Sequence, residues 1–203
     1  MPIKGNAFVA IWHDIRAESE VEYNRWHTRE HMPERLAIPG FLRGTRWIAA
    51  SGEPSYFVLY EAADLGTLTR GPYLERLNNP TPWSRKMMPH HRNMVRSLCR
   101  VHESSGRGVA QALATLRLDQ PIGAEALGRL AQRQGVTSAH LLQSQSLAGL
   151  PQTIEQKIRG GADREASWIA LLGGYDADAV AAASGAALPG AAPQLYRLSF
   201  CLP

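Results

Sequence analysis

The sequence is poor in cysteine. Its 203 residues include only two, Cys99 and Cys201, with no paired spacing. This excludes a disulfide framework and a cysteine-rich metal knuckle, and it points to free thiols in a reducing, cytoplasmic setting. Lysine is scarce too. Only three of the 22 basic residues are lysine, no run of Lys or Arg occurs, and the formal charge of +4 is spread among acids. Such a pattern carries no nucleic-acid motif, so no nucleic-acid partner is expected. It fits solubility and some attraction for anionic small molecules. No apolar run approaches the roughly 20 residues needed to span a bilayer. The opening segment MPIKGNAFVAIWHDI has no h-region of the secretory type, so no membrane partner is expected. What remains, at 44% hydrophobic and 20% charged, is the composition of an ordinary globular protein.

The chain repeats itself. SYFVLYEAADLGTL at 55–68 aligns with SWIALLGGYDADAV at 167–180, each an apolar strand followed by Asp and a helix start. MVRSLCRV at 94–101 resembles LYRLSFCL at 195–202, with the two cysteines near matching ends. AFVAIWHDI at 7–15 and GVAQALATLRL at 108–118 share their character, and helix candidates follow at 19–37 and 123–134. Strand candidates at 42–50 and 138–146 come next. Each half therefore reads β-α-β-β-α-β. The expected domains are 1–103, carrying a site, and 107–203, a degenerate second copy. HESSGRG at 102–108 reads as the polar linker between them. Two such units bury their sheets most economically against each other, as one α+β barrel within a single chain.

The halves differ in chemistry. Six of the seven histidines and four of the five tryptophans precede residue 103. The densest stretch is WHDIRAESEVEYNRWHTREHMPERLAIPGF at 12–41, which holds His13, Tyr23, Trp26, His27, Glu30, His31 and Glu34. Ser19 and Glu22 have capping-box spacing, and Pro39-Gly40 gives a stop. On a helical wheel, Tyr23, His27, Glu30, His31 and Glu34 share one side, while Val21, Met32 and Leu36 share another. A neutral imidazole takes or gives a proton near pH 7, and a neighbouring carboxylate can fix its tautomer. His31 and His27 are thus the candidate acid/base residues, with Glu30 as orienting carboxylate. Trp12, His13, Tyr23, Trp26 and Glu34 are candidate pocket residues. Trp83, in the Pro-punctuated segment 70–93, is a further candidate wall. Of His90 and His91, at most one should face a cleft.

The run Trp26-His27-Thr28-Arg29-Glu30-His31-Met32-Pro33-Glu34-Arg35, closing with Ile38-Pro39-Gly40-Phe41, resembles EthD-like members of the dimeric α+β barrel superfamily. The likeness covers residues 5–101 directly and the second half only through the repeat. It implies a ferredoxin-like sheet whose cleft, under the helices, holds a small and often aromatic or polyketide-like ligand. Relatives of this kind include cofactor-free monooxygenases, cyclases, isomerases, lactone-processing enzymes and haem-binding enzymes. The motif places His31, and with it His27, in the site. Two repeats in one chain depart from the usual one-repeat subunit and leave open a homodimer of such pseudo-dimeric barrels.

Three functions compete. The first is a cofactor-independent enzyme acting on a small hydrophobic, aromatic or carbonyl-bearing molecule, with no cofactor and no metal. The second is a non-catalytic ligand binder or structural relative. The third is a metal or haem protein using His27 and His31 at i, i+4, with His13 nearby.

Overall fold

The structure is a computed structural model that describes residues 3–145, 151–160, 163–187 and 192–203. Its eight strands are β1 (Ala7–Ile15), β2 (Phe41–Ala49), β3 (Tyr56–Ala62), β4 (His91–Gly106), β5 (Ala112–Leu118), β6 (Val136–Ser144), β7 (Trp168–Gly174) and β8 (Gln194–Leu202). They close into one antiparallel barrel in the order β4-β1-β3-β2-β8-β5-β7-β6. The strands β1–β4 form one arc and β5–β8 the other. The arcs meet where β2 pairs with β8 and where β4 pairs with β6. Residue 146 of the expected strand 138–146 lies outside the described residues.

Strand alternation explains how the residues sort. Along β1, Phe8, Ala10 and Trp12 point into the barrel, where Trp47, Phe57, Leu113, Ile169 and Tyr196 fill the interior. Ala7 and Val9 point outward, beneath a helix layer with Met32, Ile38, Leu68 and Leu77. Both faces are covered, so β3 is apolar almost without interruption and buried throughout. A second outer cluster lies under the helices of the other arc, built on Leu116, Leu127, Leu141, Leu172 and Val180.

The helix after β1 is not uniform. α1 (Glu20–Trp26) passes into a π-helical turn at His27–His31 and resumes as α2 (Met32–Leu36). Pro33 is the physical cause. It has no N–H to donate to residue 29, and its ring crowds that carbonyl, so the turn before it widens. Gly40, at φ 94°, ends the segment in a conformation costly for other residues. Gly44 on β2 lets the helix settle close, since a Cβ there would lie 3.0 Å from Met32 Cγ.

Three expectations need correction, the last only in part. Ser19 does not cap α1, because a short 3-10 turn at Ala17–Ser19 already leads into the helix and leaves Ser19 in helical geometry. Its hydroxyl is instead hydrogen-bonded to His90 Nδ1 at 2.9 Å, while Glu22 accepts from Lys86 Nζ at 2.6 Å. The linker reading of 102–108 also fails. β4 runs through Gly106 and pairs with β6, and exposed His102 packs edge-on against Trp168. Of the expected apolar side, Met32 is buried with Leu36 packed against the same cluster, while Val21 is exposed.

Between β3 and β4 lie α3 (Leu65–Thr69), α4 (Gly71–Asn78) and α5 (Pro82–Met87). The second arc carries α6 (Ala124–Ala131), α7 (Ile154–Arg159) and α8 (Ala177–Ala187). No helix among the described residues is long and apolar enough to cross a membrane.

Candidate active site

A cavity of about 50 Å³ lies between the outer face of the β1–β4 arc and the helices over it. The α1–π–α2 segment supplies Tyr23, Trp26, His27, His31 and Arg35, β1 supplies His13, and β4 supplies Arg96. The wide turn matters here. With more than four residues per turn, positions four apart stack almost in line, so His27, His31 and Arg35 descend one side of the segment together.

The rings are in mutual contact. His13 Nε2 and the Tyr23 hydroxyl are hydrogen-bonded at 2.9 Å, and the His13 ring stacks on Tyr56 at 5.5 Å between centroids. His27 Nε2 and the Tyr60 hydroxyl lie 3.4 Å apart. His31 leans on the Trp26 indole at 4.3 Å and lies 5.6 Å from the His27 ring. His91, beginning β4, approaches His13 to 5.0 Å between centroids. His31 makes no hydrogen bond among the described residues, and the Nδ1 atoms of His13, His27 and His31 are buried without a partner there.

Burial decides the charge state of this cluster. Desolvation holds His13, His27 and His31 well below the ordinary value of 6.5. Nearby guanidinium groups push the same way, Arg46 on His27 and Arg35 on His31. His91 is driven down to about 3, again chiefly by burial. Tyr23 and Tyr60 are pushed up by desolvation and keep their protons. At neutral pH the cavity therefore presents neutral imidazoles that accept hydrogen bonds, phenols that donate them, and permanent guanidinium charge.

The second arc closes this cavity from outside. Glu155 and Arg159 on α7 are part of its wall. Arg35, only 2% exposed, donates to the buried Glu155 carboxylate, and Arg159 donates twice to Asp163 at 2.8 and 2.9 Å. The cavity is lined mainly by the first half, as expected, with Glu155 and Arg159 added from the second. The expected cavity residues His13, Tyr23, Trp26, His27 and His31 are brought together.

Four others are placed elsewhere. Glu30 accepts from the Thr81 hydroxyl at 2.6 Å and touches no imidazole, because the widened turn rotates it off the His27–His31 side. Glu34 pairs with Arg76 at 2.9 Å in a separate outer crevice. Trp12, one residue before His13, points the opposite way. Its indole donates to Thr115 Oγ1 at 3.0 Å inside the barrel. Trp83 is half-buried against the Tyr23–Trp26 cluster outside the cavity lining, donating to Glu22 at 3.2 Å. Of His90 and His91, it is His91 that lines the cavity; sequence reasoning missed Arg35, Arg96, Glu155 and Arg159. Arg35, four residues beyond His31, carried a signal in its spacing, whereas Glu155 and Arg159 carried none.

The metal reading finds no ligand set. Among the described residues, no group of three or more His, Cys, Asp or Glu side chains is arranged to hold a metal ion.

Solved structures of similar shape exist. A "putative monooxygenase" from Fusobacterium nucleatum superposes with a TM-score of 0.61 at 8% identity, covering 98% of this chain and 95% of its own. An "anthrone oxidase-like protein" gives 0.54 at 10% identity, covering 97% and 92%. A "putative chlorite dismutase" gives 0.57 at 11% identity, covering 97% and 96%. At such identities the likeness shows the fold alone, a closed antiparallel barrel with helices outside it, and nothing of the chemistry. No protein-family model matches the sequence, and no curated protein matches it.

Proposed function

We propose that the protein is a cofactor-independent small-molecule enzyme in which His31 is the general acid/base. Its substrate is a small aromatic or carbonyl-bearing molecule with an acidic C–H or O–H. The barrel is read as two ferredoxin-like halves, 1–103 and 107–203, because each arc follows the same strand order, 4-1-3-2 and then 8-5-7-6. The first half belongs to the EthD-like type by its Trp26–Phe41 motif, and the second supplies the partner sheet and α7. The location is cytoplasmic.

The observation that carries this reading is a single imidazole. His31 is buried, neutral and free of hydrogen bonds among the described residues, on the cavity wall it shares with Arg35. A proton leaving the substrate moves to a ring nitrogen of His31, and the electron pair stays on the substrate oxygen as an enolate or phenolate. Guanidinium charge favours that anion in a site shielded from water. The resulting imidazolium then returns the proton to another atom. Proton removal is the step shared by isomerase, cyclase, lyase and cofactor-free monooxygenase chemistry. One positioned acid/base supplies roughly 10²–10⁴-fold. His27, held toward Tyr60, is the second candidate for the same role. His13, Tyr23 and Trp26 line the cavity beside the substrate.

The test is deuterium exchange. Enolisable 1,3-dicarbonyls and hydroxylated aromatics are incubated with the protein in D2O, and their acidic C–H signals are followed by NMR. The expected result is accelerated exchange that His31→Gln abolishes. Compounds that bind without any accelerated exchange would establish the non-catalytic binder instead.

A further inference from the structure

We infer that the cavity takes an anionic ligand, a small carboxylate, with Arg96 as its ion-pair partner. This deepens the proposed function by naming the substrate class. It rests on the same cavity but not on proton transfer by His31.

The cavity wall carries three guanidinium groups, Arg35, Arg96 and Arg159, and one carboxylate, Glu155. Two of the three cations are already committed. Arg35 holds Glu155, with Glu34 at 3.5 Å on its other side. Arg159 forms a two-pronged pair with Asp163. Arg96 differs. Its Nη2 donates to the Tyr73 hydroxyl at 2.9 Å, and it forms no ion pair among the described residues. Glu155 and Asp163, which lie in reach of its field, are bound to the other two arginines.

Arg96 is half-buried beneath a helix layer, faces neutral imidazoles and phenols, and has no opposite charge paired with it among the described residues. A neutral ligand would leave it so. A carboxylate would meet the planar fork of Arg96 with two parallel hydrogen bonds. The Tyr73 hydroxyl already accepts from Arg96, so its own proton is free to donate to the same ligand oxygen. Arg159 Nε, buried and unpartnered among the described residues, adds another donor on the wall. With about 50 Å³ of space, the cavity as it stands suits a ligand of a few non-hydrogen atoms.

The test compares charged and neutral isosteres by calorimetric titration of the full chain at constant ionic strength. The probes are acetate against acetamide and propionate against propionamide. The expected result is that at least one carboxylate binds tenfold or more tightly than its amide. Arg96→Gln should weaken that carboxylate at least tenfold and leave the amide unchanged, with Arg96→Lys intermediate because it keeps the charge and loses the fork. Carboxylate binding is read here with no turnover or proton exchange, which separates this inference from the acid/base role. Carboxylates that bind no better than their amides to the wild-type protein overturn the inference, and this arm needs no variant to fold. Full carboxylate affinity in folded Arg96→Gln overturns it equally.

Discussion

Glu155 and Arg35 are joined across 120 residues of sequence, and both are buried. The bond ties α7 of one arc to the helix carrying His27 and His31 on the other. Arg35 keeps Glu34 at 3.5 Å if Glu155 is lost, whereas Glu155 forms no other ion pair among the described residues. Arg35→Met leaves a carboxylate under the helix layer and should cost about 3–5 kcal/mol. The double variant Arg35→Met, Glu155→Leu should recover most of that loss. Urea denaturation of the two single variants and the double variant checks this. Strict additivity of the single effects would show that the pair is not coupled.

Removal of the His31 imidazole should separate chemistry from folding. For a compound found to exchange or turn over, His31→Gln should lower the rate roughly 10²-fold or more, with the melting temperature little changed. Steady-state kinetics and a thermal melt give both readings. An unaltered rate in His31→Gln and His31→Ala would falsify the acid/base role.

Buried neutral histidines make the fold acid-sensitive. His13, His27 and His31 have folded pKa values below the ordinary 6.5, and His91 is lowered to about 3. Below about pH 6.5 the unfolded chain binds protons that the folded chain refuses, so stability falls as pH drops. Above that pH their contribution is fully present. The window opens near 6.5 and, for His91, extends down to about 3. Each group adds at most about 1.4 kcal/mol per pH unit to the slope. Unfolding free energies from pH 7.5 to pH 5 should decline steeply, and less steeply in His91→Gln. A flat profile would contradict the buried, neutral cluster.

The Trp12–Thr115 hydrogen bond crosses the barrel interior from β1 to β5. Thr115→Val keeps the shape and leaves a buried indole N–H unpaired, at a cost of about 1–3 kcal/mol. Thr115→Ser keeps the acceptor and should cost less. Equilibrium unfolding of both variants distinguishes a lost hydrogen bond from lost packing.

The barrel was legible in the sequence because strand alternation and helix starts are local signals. β3 and β7 stand where SYFVLYEAAD and SWIALLGGYD place them. The polar run after Val101 misled because polarity reports the exposure of side chains, not the loss of backbone pairing. Glu103 and Ser104 face solvent in part while their backbones pair with Leu141 and His140. In the site, the i, i+4 spacing brought Tyr23, His27 and His31 to one side. It also brought Glu30 and Glu34 there, which holds for a regular helix and fails once Pro33 widens the turn. Trp12 was misplaced because adjacent strand residues face opposite ways. The α7 residues were illegible because nothing local links Ile154–Arg159 to a cavity assembled from residues 11–96.

Both seams of the barrel, β2 with β8 and β4 with β6, lie within one polypeptide. In a barrel assembled from two identical subunits, every substitution appears twice and alters both cavities at once. Here a change in β5–β8 is made once. That arc can shed its imidazoles and lend α7 as a wall without forcing the same exchange on its counterpart. Division of labour between the arcs is thus written into a covalent connection, and the ratio of wall to cavity stays one to one at any dilution.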